Sequence, residues 1–298
     1  MTIHVLLNPS AGGGRAGSLR TELSAAFAAQ GSPVTLHLTG EAGAATRQAR
    51  DLGATGDDVV VAAGGDGTLH EVVNGLMQCP PDRRPALGLV PLGTGNAFAR
   101  ELGLLPGQWL EAVAIVAAGH QRPVDVGLAR CGASDFHFLN ILGAGFVAQA
   151  ARAAQRCKWL GRGAYTVGTL GAVAAMRSHP MRVVVDGQVL EGRFLMVEVS
   201  NSRYTGTHFL MAPGARLDDG LLDVTLVRAL PRRRLLQLFP SIYDGSHVGF
   251  DEVTVLQGRE IRLDAGAAMP LVVDGELRGQ APVTVSCLPG ALQMLAPE

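Results

Sequence analysis

Segment 58–65, DVVVAAGG, is apolar at every position after its first and ends in two glycines. A strand with no polar alternation must be buried on both faces, which requires a parallel sheet covered by helices. The flanking sequence fits that demand. Segments 3–7 (IHVLL), 33–39 (PVTLHLT), 58–65 and 86–93 (ALGLVPLG) read as strands. Between them, 15–31, 44–52, 68–77 and 96–102 carry helical spacing, and 108–118 adds a further helix. Alternation at this spacing predicts an α/β N-terminal domain with an open parallel sheet.

The pattern changes near residue 122. Segments 123–130, 136–143, 181–187, 192–201, 221–228, 260–265, 270–276, 281–288 and 292–296 read as strands. Many alternate, and they lack crossover helices, which predicts a C-terminal antiparallel β-sandwich. Helical spacing interrupts them over 145–176, with a break at 161–163, and over 231–243. The expected division is 1–122 for the α/β domain and 123–298 for the sandwich.

With 298 residues, 47% of them hydrophobic, the chain has enough apolar material for one large domain or two. A net charge of -1 gives no general attraction for nucleic acid. Cys79, Cys131, Cys157 and Cys287 have no CxxC spacing and read as reduced residues of a cytosolic protein. The N-terminus, MTIHVLLNPS, lacks the basic start of a signal peptide. No stretch approaches 18 uninterrupted apolar residues, so membrane contact is expected to be peripheral and the location cytoplasmic.

Three glycine-rich turns follow the first, third and fourth strands: 8–17 (NPSAGGGRAG), 64–68 (GGDGT) and 91–96 (PLGTGN). Turns leaving the carboxyl ends of parallel strands line the ligand crevice. Glycines there let backbone N–H groups approach a phosphate, and helix starts just beyond add their positive ends. The string Gly12-x-Gly14-x-x-Gly17 matches a dinucleotide fingerprint, but Thr39 stands where the ribose-binding acid is required. A P-loop is excluded, because Lys158 is the only lysine and lies in CKWLG. Phosphate charge must then be met by amides, arginines and metal. Asp66, between Gly65 and Gly67, has two readings: a helix N-cap, or a carboxylate that holds Mg²⁺ against the phosphates.

VVAAGGDGTLHEVVNGL (60–76) followed by VPLGTGNAFARELG (90–103) resembles the diacylglycerol kinase catalytic-domain family, which includes bacterial lipid kinases and sphingosine and ceramide kinases. NPSAGGG (8–14), FLNILGAGF (138–146), APGARLDDGLLDV (212–224), VVDGE (272–276) and PGALQMLAP (289–297) are similar to the family in the expected order, over essentially the whole chain. The resemblance implies an NAD kinase/diacylglycerol kinase-like fold, with ATP in the interdomain cleft, a lipid site on the sandwich and a final segment that packs back on domain one.

By the same resemblance, Asn8, Gly12, Gly13 and Gly14 border the phosphates, and Thr39, Thr94 and Asn96 contact the nucleotide. Gly64, Gly65, Asp66, Gly67, Thr68, Leu69 and His70 wrap the triphosphate. Asp219 is a structural metal ligand with the carbonyls of Arg216 and Leu221. Glu276 accepts the proton and Asp274 is its acidic neighbour, although Asp66 is the base in some relatives; without the resemblance, VVDGE reads as a hairpin turn. Ala97 and Val147 stand where many relatives carry acids.

In 145–176, Trp159, Leu160, Tyr165, Val167 and Leu170 lie among Arg152, Arg156, Lys158 and Arg162. This mixture suits a lipid wall or an ordinary helical pair. Arg232–Arg234 reads as a headgroup contact or a solvated helix start. The expected protein is an ATP- and Mg²⁺-dependent lipid kinase whose partner is a lipid at a membrane surface, with a homodimer left open. The alternatives are a kinase of a soluble acceptor, such as NAD or a polyol, and a nucleotide-binding regulator that has lost catalysis.

Overall fold

The computed structural model describes residues 2–55, 59–132, 134–156, 173, 175–206, 208–266 and 268–298. The chain divides into two units, Met1–Val126 with Pro289–Glu298, and Gly127–Leu288. Strand β5 (Gln121–Cys131) carries the chain from the first unit to the second.

The first unit is built on β1 (Ile3–Leu7), β2 (Val34–Leu38), β3 (Val59–Gly64) and β4 (Ala86–Pro91). They are parallel, in the order β4–β3–β1–β2. The central β3 and β4 are buried at every residue, as their unbroken apolar runs require. Helices α1 (Arg15–Ser18) and α2 (Arg20–Ala29) follow β1, α3 (Ala44–Thr55) follows β2, α4 (Asp66–Leu76) follows β3, and α5 (Trp109–Ala118) follows β4. Right-handed crossovers in this order place α2 and α5 on one face and α3 and α4 on the other. The β1 connection leaves toward β2 while the β3 connection leaves toward β4. The sheet therefore has its switch point between the carboxyl ends of β1 and β3, where a crevice opens.

The final segment is tied to this unit by polar contacts. Buried Asp125 accepts the Gly290 amide at 2.7 Å, Arg84 donates to the Ala291 carbonyl at 2.9 Å, and Ala296 donates to His120 at 3.0 Å. In β17 (Val283–Leu295), Met294 pairs with Leu87 of β4.

Two helices are shorter than their spacing predicts. The 15–31 segment breaks at Leu19 into α1 and α2, with the Ser18 hydroxyl bonded back to the Arg15 carbonyl. The 96–102 segment is a 3-10 helix over Phe98–Leu102, because Asn96 adopts φ 54° to close the preceding turn.

The second unit is an antiparallel β-sandwich-like fold. Strand β9 (Gln188–Ser200) is its spine. Its first half pairs with β8 (His179–Val185), and its second half lies between β7 (Ile141–Gly145) and β12 (Leu222–Arg228). Beyond β7 come β15 (Met269–Val273) and β16 (Glu276–Ala281), and beyond β8 comes β14 (Glu260–Asp264). Phe138, Val183, Leu222, Ile261, Leu271 and Val285 fill the core. Helix α6 (Phe146–Arg156) and α7 (Arg232–Leu238) cover a second apolar cluster that includes Leu195, Met196 and Phe209. The 231–243 helix changes to 3-10 at Phe239, where Pro240 cannot donate an α-helical bond. Of the expected lipid wall, Lys158, Trp159, Leu160, Arg162, Tyr165, Val167 and Leu170 lie outside the described residues, as does Cys157.

Candidate functional site

The glycine turns of the first unit close on one another at the switch point. Asn8 donates from its backbone to Ala63 at 3.0 Å and from its side chain to the Thr68 hydroxyl at 3.0 Å, which ties the first turn to the third strand and its helix. Leu92 and Gly93 both donate to the Gly64 carbonyl, at 2.8 and 3.1 Å. Packing explains several of the glycines. A Cβ on Gly12 would stand 2.6 Å from the Leu92 carbonyl, one on Gly93 would meet the Gly65 backbone, and one on Gly64 would meet the Thr68 side chain. Gly13 and Gly14 are different. They are exposed at φ 71° and 91°, and a Cβ on either would meet nothing within 4 Å.

Asp66 lies in the first turn of α4 and is half-buried. Gly65 is the N-cap, in extended conformation, and no side chain caps the helix. The capping reading of Asp66 is therefore not what the helix uses. The Thr68 and Leu69 amides both bond to the Gly65 carbonyl, so the positive end of α4 lies at 65–67. A Cβ on Gly95 would sit 2.7 Å from Asp66 Oδ2, so the carboxylate faces the turn after β4. An acid turned onto a glycine-lined turn at a helix N-terminus suits a cation held against phosphate, and the residues present fit Mg²⁺ there.

The remaining predicted residues divide by exposure. Thr94 is exposed beside this turn. Asn96 uses both ends of its amide on Gly93, accepting from its N–H at 3.1 Å and donating to its carbonyl at 2.9 Å. Thr39 is buried, with its hydroxyl 3.4 Å from the Leu7 carbonyl. The Leu69 and His70 side chains are buried in α4, and His70 lies 3.3 Å from the Asn74 amide.

Two residues of this region escaped the sequence reading. Arg15 donates from Nε to the Gly12 carbonyl at 3.1 Å, which holds a guanidinium against the first glycine turn. Its place directly after the glycine run was the available signal. Glu71 accepts the Gly43 and Ala45 amides at 2.9 and 3.2 Å and so anchors the start of α3 to α4; no local pattern announces that contact.

In the second unit, Asp274 and Gly275 make the turn between β15 and β16 at φ 47° and 88°. Asp274 is buried, and its carboxylate accepts the amides of Leu139, Asn140 and Ile141 at 3.3, 2.9 and 3.1 Å. It positions the segment that enters β7. Glu276 opens β16, half-exposed, and pairs with Arg278 at 2.8 Å. Asp219 accepts the Leu221 amide at 3.0 Å, which shapes the turn before β12. Among the described residues no three His, Cys, Asp or Glu side chains cluster as metal ligands. A metal at Asp219 would thus rely on backbone oxygens such as those of Arg216 and Leu221.

Glu198 of β9, absent from the sequence reading, is fully buried between Gly143 and Thr225 of the flanking strands. Burial pushes its carboxyl up to about 7, against the pull of a 2.9 Å bond from the Thr205 hydroxyl. Asp223 of β12 is also pushed up, by burial first and then by Asp219, against a bond from Gln257.

Residues 2–129 match the diacylglycerol kinase catalytic domain, and residues 140–296 match the YegS C-terminal NAD kinase beta sandwich-like domain. A diacylglycerol kinase of Mycobacterium tuberculosis is 31% identical over 298 residues, covering 99% of this chain and 95% of its own. The chain belongs to the diacylglycerol kinase family. It is thereby one of the phosphotransferases that act on an alcohol acceptor. The diacylglycerol kinase of Bacillus subtilis is 30% identical over 258 residues, 86% of this chain and 83% of its own. A crystal structure of a diacylglycerol kinase from Bacillus anthracis superposes with a TM-score of 0.76 at 25% identity, covering 99% of this chain and 97% of that one. Among the described residues, no helix is long and apolar enough to cross a membrane.

Proposed function

We propose that this protein transfers the γ-phosphoryl group of ATP to a hydroxyl of a diacylglycerol-type lipid, working from the cytoplasm at a membrane surface. The observation that carries the reading is Asp66 in the first turn of α4, facing Gly95 of the turn after β4 beside the switch-point crevice of a diacylglycerol kinase family member. The amides of Gly13 and 65–67 and the Arg15 guanidinium take the phosphate charge, while the Gly14 amide closes its own turn on the Ser10 and Ala11 carbonyls. Asp66 would hold Mg²⁺ against the phosphates, and the ion would supply further neutralisation of the phosphoryl oxygens.

Glu276 accepts the proton of the lipid hydroxyl as that oxygen bonds to the γ-phosphorus; the bond from the phosphorus to the bridging oxygen breaks, and ADP leaves. Arg278 orients the Glu276 carboxylate through their ion pair. Catalysis otherwise rests on alignment and on preorganised charge.

The test is incubation of the full chain with radiolabelled ATP, Mg²⁺ and a total lipid extract, with NAD and polyols as parallel acceptors. Label is expected in a phosphorylated lipid. Label confined to a soluble acceptor, or none transferred, rejects the reading.

A further inference from the structure

The second unit carries a cavity of about 540 Å³, open to solvent and away from Glu276 and Asp219 in its lining. Arg177, Arg193, Arg232 and His179 line it together with Met176 and Leu230, and no carboxylate is among its described lining residues. Elsewhere on this unit arginines meet acids: Arg182 pairs with Glu191, Arg234 with Glu252 and Arg278 with Glu276. Here the anchors of Arg193 are neutral groups, and one bond of Arg232 is to a carbonyl. Arg193 donates to the Ser178 carbonyl at 2.6 Å and lies 3.3 Å from its hydroxyl, and Arg232 donates to the Val173 carbonyl at 3.3 Å. Burial, then Arg193 and Arg177, hold the His179 imidazole below its ordinary range, a sign of positive charge concentrated at this place.

Three arginines lining one cavity, with no carboxylate among its described lining residues, suit a phosphate, because guanidinium matches phosphate oxygens in a bidentate fork. The apolar lining sets the rest of the ligand. Met176 and Leu230 pack against the apolar cluster under α6 and α7, so the cavity offers apolar as well as cationic side chains. A free anion would leave the apolar side chains in water, whereas a phosphate joined to acyl chains covers both.

We propose that this cavity binds the phosphate of an anionic phospholipid and so docks the second unit on the membrane. Its use in catalysis rests on the lipid-kinase reading; the binding itself does not.

Flotation of the full chain with vesicles of phosphatidylcholine, with and without phosphatidylglycerol, tests it. The protein is expected to prefer the phosphatidylglycerol vesicles. The R177Q/R232Q variant is expected to bind these about thirtyfold more weakly, with the loss of the Arg232 bond to Val173 read separately as a lower melting temperature. R177Q alone leaves the Arg232 bond to Val173 in place and is expected to cost about fivefold at an unchanged melting temperature. Equal binding by wild type and R177Q would overturn the proposal. So would binding of inorganic phosphate at these arginines with no difference between the vesicle types, which would assign the site to a free anion. Arginine-dependent vesicle binding by a protein that phosphorylates no lipid would sink the kinase reading and leave the docking site standing.

Discussion

Asp66 and Asp274 both follow a fully apolar strand and both neighbour a glycine, yet the fold uses them differently. Asp66 is half-buried at a helix N-terminus, with one oxygen toward Gly95 of another turn. Asp274 is buried, and its carboxylate serves three successive amides of the chain entering β7. Glu198 goes further, enclosed within the sheet with a hydroxyl bonded to it. A carboxylate beside a strand end is therefore not chemistry by position alone. What separates the cases is how much of the acid is taken up by backbone amides and how far it is removed from water.

If that contrast holds, the largest effect belongs to Asp66. Asp66→Asn is expected to lower kcat/KM by about a hundredfold or more, with little change in melting temperature, because it removes charge from an accessible turn. Asp274→Ala should show the opposite profile. It leaves three amides without their acceptor and is expected to cost about 2–4 kcal/mol in chemical denaturation. A stable Asp274→Ala protein with lost turnover would break the comparison.

Glu198 supplies a pH signature. The folded chain holds a proton at its carboxyl up to about pH 7, whereas the unfolded chain releases it near the ordinary 4.5. The stability this proton gives is full below pH 4.5 and falls as pH rises to about 7, above which the curve is level. Glu198→Gln keeps an acceptor for Thr205, so melting followed against pH should lose that slope and gain about 1–3 kcal/mol above pH 7. The smallest effect is Gly95→Ala. Its Cβ would press on Asp66 Oδ2, and about a tenfold rise in KM for ATP is expected in steady-state assays at unchanged stability.

The parallel half of the fold was readable because each strand and helix there is announced by its own residues. VVVAA must be buried on both sides, and the glycine turns stand where the strands end. The turns' joint geometry was less readable, since Gly93 on Gly65 and Gly12 on Leu92 are contacts between distant segments. Glu198 was hidden for a different reason. Within VEVS an acid between valines suggests a solvent-facing position, but β7 and β12 flank it and Thr205 bonds to it. The role of Asp274 depends on amides more than a hundred residues earlier, a distance at which no local pattern operates.

The central claim is that the three glycine turns of the first unit hold the triphosphate. A crystal structure with a non-hydrolysable ATP analogue and Mg²⁺ tests it most directly. The phosphates are predicted to lie within hydrogen-bonding distance of the amides of Gly13 and Gly67, with the metal at Asp66. A nucleotide bound elsewhere, with these turns bare, would contradict it.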